Sequence, residues 1–219
     1  MTASTRLMEA TADILNAYNT HPFVAGIQNG DLDRDKFRFY IVQDYLYLKE
    51  YAKVFAIGVA DAKDLKVMRL FAKYIPVMDG ELNVHQGYLA RLGVTQEEVD
   101  AAKPGFANLA YTSYMLRVAY EEGDAETLAA ILPCAYTYEV IVRRMLEARP
   151  ACIDDDFYGD WVRGYTFPEY AEENRVLWDT LDALTAHYTE AQLAHLEDIY
   201  RMGCRFEMGF WDMAWEMAL

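Results

Sequence analysis

Three side chains that could do chemistry stand where a helical register calls for apolar ones. Near the end of the chain, positions 193, 196, 200, 203, 207, 210, 214 and 217 step by three and four. They are Leu193, Leu196, Tyr200, Gly203, Glu207, Phe210, Ala214 and Met217. Glu207 alone is ionisable on that stripe. A second stripe of Phe37, Tyr40, Ile41, Asp44, Leu48, Tyr51 and Phe55 has Asp44 in its middle, with Tyr47 beside it. Burying a lone carboxylate costs several kcal/mol, so each must be paired, protonated or functional. Two such groups among aromatics either supply an acid and a base from an internal polar pocket, or pair with a buried Arg or Tyr and hold helices in register.

The third is Cys134, in LPCAYTYEV. Leu128, Ile131, Ala135, Tyr138, Val142 and Met145 mark the inward stripe here, and Cys134 stands at its edge. Pro133 removes an amide donor and bends the helix, exposing backbone next to the thiol. A thiol needs an open, polar setting to react as thiolate, whereas most core cysteines are small hydrophobes. Cys152, in the loop after Pro150, and Cys204, off the stripe of the last helix, are given no chemistry. Three cysteines without CxxC spacing do not indicate a disulfide framework or a structural zinc site. Of the 17 tyrosines, Tyr111, Tyr114, Tyr138 and Tyr165 fall on or near core faces. A phenol offers a heterocycle a flat surface and its nitrogens a hydroxyl; equally, it completes a core by reaching water with its hydroxyl.

Metal and haem chemistry find little to work with. Glu81 and His85 form an i, i+4 pair that could bind one metal from a helix face, but a di-metal bundle needs further Glu and His ligands on other helices. Helix pairing explains Glu81 and His85 more cheaply. His21, followed by Pro22, is a weak axial ligand, and His187 and His195 lie at helix ends. The expectation is no metal and no cofactor.

The elements that must position these residues are helical almost throughout. A first amphipathic helix covers Leu7 to Tyr18, and HPFVAGIQNGDLD carries turn residues Pro22, Gly26, Asn29 and Gly30. Asp33 caps a long helix to about Ala60; a third runs from near Asp64 to before Gly93 with a kink or break at Pro76. Thr95 and Glu98 form a capping box for a short helix. Another covers about Asn108 to Glu121 and stops at Gly123. Asp124 caps the next, which passes through Pro133 to about Ala148. After a loop at Asp154 to Asp156 come a short helix to about Gly164 and one starting near Pro168. The last opens on the capping box of Thr189 and Gln192. No alternating β-branched segment competes, so the fold class is all-α, a compact multi-helix bundle.

The 219 residues contain no internal repeat or long linker, so residues 1–219 are expected to form a single domain. Net charge is −15, from 35 acidic and 20 basic residues. Such a field repels phosphate, arguing against nucleic acid and against an anionic membrane surface. No stretch approaches the roughly 18 uninterrupted apolar residues of a membrane span, and MTASTRLMEATADIL has no signal-peptide pattern. The expected compartment is the cytoplasm.

Several of these segments resemble the TenA/thiaminase II family: HPFVAGIQNGDLDRDKFRFYIVQDYLYL, NLAYTSYML, LPCAYTYE, WVRGYTFPEY and FEMGFWDMAW, extending over nearly the whole chain. QDYLYL and LPCxxxYE are the more specific. The resemblance implies a haem-oxygenase-like bundle, Cys134 as nucleophile and Glu207 as acid/base carboxylate. It implies that Asp44 hydrogen-bonds an aminopyrimidine and that Tyr47, Tyr111, Tyr138 and Tyr165 line the pocket. A branch of the family lacks the cysteine, and Cys134 sets this chain apart from it. The implied activity is an aminopyrimidine aminohydrolase (thiaminase II) of thiamin salvage, acting on aminomethyl-pyrimidine or thiamin, and the implied assembly is a homotetramer. FWDMAWEMAL either helps to bury such an interface or completes the core. Two other roles are open to such a bundle. Cofactor oxidation is disfavoured by the four histidines, and non-enzymatic regulation on DNA by the charge of −15.

Overall fold

The computed structural model describes residues 1–76 and 85–219 in full and residues 77–84 by their backbone alone. Eleven α-helices and one 3-10 turn, with no strand, make up the described residues. The expected first helix is two: α1 (Ala3–Ala10) and α2 (Ala12–Tyr18), broken at Thr11, whose hydroxyl bonds back to the Leu7 carbonyl at 2.9 Å. The segment read as a turn contains α3 (Pro22–Asn29). Its punctuating residues serve a helix: Pro22 takes the first position, where no amide partner is needed, and Gly30 ends it at φ 78°.

Asp33 caps α4 (Arg34–Asp61) by accepting the amides of Asp35 and Lys36, and Asp64 caps α5 (Leu65–Arg91) in the same way. Thr95 and Glu98 form the capping box of α6 (Gln96–Ala101), and α7 spans Phe106–Glu121. The N-cap of α8 (Asp124–Ala148) is Gly123, with Asp124 its first helical residue rather than its cap. Helices α5 and α8 remain continuous through Pro76 and Pro133. The loop after α8 begins with a 3-10 turn, Pro150–Asp154, that buries Cys152. Then follow α9 (Gly159–Gly164), α10 (Pro168–Leu184) and α11 (Glu190–Glu216), the last opened by the Thr189–Gln192 capping box.

Helices α4, α7, α8 and α11 all touch one another and form the centre of the bundle. Helix α5 returns along α4 antiparallel: Gly58 packs against Phe71 near their short connection, and Asp44 meets His85 farther along. Helix α8 is apolar and long enough to cross a membrane, yet 72% of its most apolar window is buried within the bundle, as in a central core helix. The C-terminal aromatic segment mostly completes the core: Trp211, Met213 and Ala214 are buried, while Trp215 lies half-buried under the Lys36 ammonium. Cys204, expected off the inward face of α11, is fully buried, its carbonyl taking a 2.6 Å hydrogen bond from Tyr18. Helix α11 is enclosed on more than one side, by α8, α7, α4 and α1, so its buried arc is wider than a single stripe.

Candidate active site

Each of the four central helices delivers a singled-out residue: Asp44 and Tyr47 from α4, Tyr111 from α7, Cys134 and Tyr138 from α8, Glu207 from α11. Tyr165 joins them as the C-cap of α9. Asp44 and Glu207 are 4% and 2% exposed, so both carboxylates are truly internal. Cys134 is half-buried, whereas Cys152 and Cys204 are buried.

The close approach of α8 and α11 has a specific cause. A Cβ on Gly203 would lie 2.5 Å from Pro133 Cγ, so only a glycine lets α11 come this near to Pro133. Glu207 follows one turn after Gly203, and Cys134 is the residue after Pro133. Two hydroxyls brace α8 on either side of the thiol: Tyr51 donates to the Ile131 carbonyl at 3.0 Å and Tyr170 to that of Ala135 at 2.6 Å.

Aromatic rings enclose the centre. Tyr47 meets Tyr51, Tyr111 and Phe210 with centroids 5.5, 5.2 and 5.7 Å away. Tyr111 stacks on Phe206 at 5.5 Å. Tyr138 contacts Tyr165 at 4.9 Å and Trp211 at 5.3 Å, and Tyr165 contacts Trp161 at 5.0 Å. Burial, reinforced by the nearby Cys134 sulfur, by Tyr111 and by Glu207, pushes the Tyr47 hydroxyl well above the ordinary phenol range. Burial followed by Glu207 and Cys134 does the same to Tyr111, and burial with Tyr40, Glu207 and Asp44 to Tyr138. These three phenols therefore stay protonated and available as donors at any physiological pH. Tyr47 donates only a weak 3.6 Å bond to Met115 Sδ, and the buried Tyr111 hydroxyl, although close to Tyr47, makes no hydrogen bond of full geometry.

The seven expected residues thus converge. Tyr47 and Tyr111 feel both Cys134 and Glu207, Tyr138 feels both carboxylates, and Tyr165 packs on Tyr138. The sequence patterns did not link His85 to Asp44, yet its Nε2 lies 2.5 Å from Asp44 Oδ2 with both residues buried. The pairing expected for His85 was with Glu81, whose side chain lies outside the described residues. Nor did they single out Phe206, Trp161 and Trp211, which look like ordinary core residues. Among the described residues no three His, Cys, Asp or Glu side chains converge as a metal site.

A half-buried thiol, two buried carboxylates and a shell of neutral phenols thus meet at the centre of a helical bundle, groups that could together serve acid, base and nucleophilic chemistry. The chain belongs to the TENA/THI-4/PQQC family, whose model matches residues 8–217. It is similar to the aminopyrimidine aminohydrolase of Helicobacter pylori, 42% identical over 200 residues, covering 90% of this chain and 91% of that one. The aminopyrimidine aminohydrolase of Halalkalibacterium halodurans is 39% identical over 217 residues, covering 98% and 96%. Among solved structures, a TenA homologue from P. horikoshii OT3 superimposes with a TM-score of 0.84 at 28% identity, covering 99% of each chain. A domain from Shewanella denitrificans OS217 with a heme oxygenase-like fold, 17% identical, has a TM-score of 0.78 over 97% of this chain and 92% of that one. The fold is haem-oxygenase-like.

Proposed function

We propose that this chain is an aminopyrimidine aminohydrolase of the thiaminase II type, a hydrolase of thiamin salvage that uses Cys134 as nucleophile. The observation that carries this reading is the company of Cys134: the one half-buried thiol of the three, whose charge, like that of Glu207, reaches two phenols kept neutral by burial. Hydrogen-bond donation to a sulfur favours its thiolate, the form that attacks. The names of the relatives at 42% and 39% identity support the same substrate class.

In this mechanism the thiolate adds to an electron-poor ring carbon beside a nitrogen. Aromaticity is lost, and the ring's electrons expel ammonia or a thiazole from the neighbouring methylene. Water adds to the exposed methylene, and the thiolate leaves as aromaticity returns. Glu207 and Asp44 handle the protons of the ring nitrogens and the amino group, with Tyr47, Tyr111, Tyr138 and Tyr165 stacking against or hydrogen-bonding the ring. No step calls for a metal or cofactor. A cytoplasmic homotetramer, free of nucleic acid and membrane, completes the proposal. Phe106, Leu109 and Tyr120, all exposed along α7, support its assembly.

The test is incubation of the pure protein with aminomethyl-aminopyrimidine and with thiamin, following ammonia and thiazole release. Wild type should turn over at least one, and Cys134→Ser should lose activity by on the order of 10³-fold or more. No product from folded, reduced wild type would sink the proposal.

A further inference from the structure

Asp44 is anchored from outside its own helix. His85 Nε2, on α5, lies 2.5 Å from Asp44 Oδ2 on α4, and both residues are almost fully buried. Two lone pairs cannot face each other at that distance, so a proton lies between them. Imidazole holds a proton more firmly than a carboxylate, which puts it on Nε2 and makes His85 the donor. No other hydrogen bond to Asp44 is found among the described residues, and its charge reaches Tyr138 in the central cluster.

We propose that His85 is a positioning residue that fixes Asp44 as a pure acceptor, and that the pair thereby selects ring substituents that donate a hydrogen bond over those that accept one. The inference rests on the proposed aminopyrimidine chemistry and adds a partner and a specificity to it. With Oδ2 held by Nε2–H, turning the carboxylate would break that bond, so Oδ1 is the oxygen left to meet the ring as an acceptor. An exocyclic amino group beside a ring nitrogen presents an N–H and satisfies Oδ1. An oxo group at the same ring position presents lone pairs to a fixed carboxylate and is repelled. A site built around a committed buried acceptor rejects the mismatched analogue because the buried group is then left unpaired. The bond also crosses from α4 to α5, so the carboxylate's direction is set by two helices instead of one.

The test compares binding by calorimetry of the 4-amino pyrimidine alcohol and its 4-oxo analogue to wild type, His85→Gln, His85→Asn and His85→Leu. A glutamine amide reaches the place of Nε2, whereas an asparagine amide reaches only that of Nδ1. Wild type and His85→Gln should prefer the amino ligand. His85→Asn and His85→Leu should bind it about ten- to a hundredfold more weakly and lose most of the preference, the scale of one charge-assisted hydrogen bond. The iodoacetamide alkylation rate of Cys134, a reaction that involves no pyrimidine, should stay unchanged in all four. Should His85→Leu fail to fold, the Gln-against-Asn contrast carries the test. Equal binding and equal preference in all variants would overturn the role of His85 alone. A wild type that binds neither pyrimidine would overturn the proposed function, and this role with it.

Discussion

Asp44 and Glu207 are both buried carboxylates, and their neighbours differ. Asp44 has an imidazole at 2.5 Å. Burial raises the phenols of Tyr47, Tyr111, Tyr138 and Tyr200 and the Cys204 thiol, all groups neutral at physiological pH, and Glu207 adds to each shift. Carboxylates in different surroundings take different tasks, and in the proposed mechanism Glu207 moves most of the protons while Asp44 chiefly holds the ring. Glu207→Gln should therefore lower kcat by about 10²- to 10⁴-fold, and Asp44→Asn should act mainly on KM; the reverse pattern in steady-state kinetics would contradict the division. The thiols separate as well. Burial pushes Cys204 up to about 12 and, to a lesser extent, raises Cys152. Brief iodoacetamide treatment of the native protein near neutral pH should label Cys134 alone, as read by peptide mass spectrometry. His21 offers a pH signature outside the site. Its Nδ1 accepts the Phe23 amide at 3.2 Å as the cap of α3, which requires a free lone pair, and burial lowers its pKa although Asp212 opposes the shift. The unfolded chain then binds more protons than the folded one. The contribution of His21 is complete above about 6.5, the ordinary histidine value, and is lost as pH falls through the lower folded value. An NMR titration should find the folded pKa of His21 below 6.5; a value above it would refute the assignment.

At the scale of the helices, the contact between Gly203 and Pro133 is the one most directly tied to the thiol's position. Gly203→Ala should cost about 1–3 kcal/mol of stability, the range for overpacking a tight core, and should also lower turnover by moving Cys134 away from Glu207. Gly58→Ala, which would place a Cβ 2.8 Å from the Phe71 ring, is the control. It should destabilise comparably while leaving kcat of the folded fraction nearly unchanged. Similar kcat values for the two variants would disconnect Gly203 from the site. The helices themselves were legible because apolar periodicity and caps such as Asp33, Asp64, Thr95 and Thr189 agree with each other. Residues 21–30 were misread because Pro and Gly punctuate turns and helix ends alike, and the break at Thr11 leaves no mark in an unbroken apolar period. Asp44 and Glu207 stood out because a carboxylate violates an apolar stripe. The link of His85 to Asp44 did not, because the two lie on different helices and local spacing cannot reveal a contact between helices. The rings of Phe206, Trp161 and Trp211 are the ordinary material of a core, and only their placement makes them a wall.

At the scale of the whole molecule, the surface of α7 bears on the proposed assembly. Phe106 and Tyr120 are 78% and 74% exposed, and Leu109 is also exposed on the same helix. If copies of the chain associate there, Phe106→Asp combined with Leu109→Asp should shift the mass measured by light scattering from oligomer to monomer. An unchanged mass would place the interface elsewhere. The distribution of the central residues has a further consequence, for the order in which the protein comes into being. Asp44 lies on the fourth helix and Glu207 on the eleventh, so the cluster spans most of the chain. During synthesis the nascent polypeptide can assemble α4 and α5, and even bring the thiol of α8 into place, while the acid/base carboxylate is still inside the ribosome. If Glu207 serves as proposed, catalytic competence arrives only with the last helix. A prematurely terminated product thus carries a cysteine without its carboxylate, and turnover becomes a stringent reporter of complete folding, one that should vanish in step with the helical signal on denaturation instead of outlasting it.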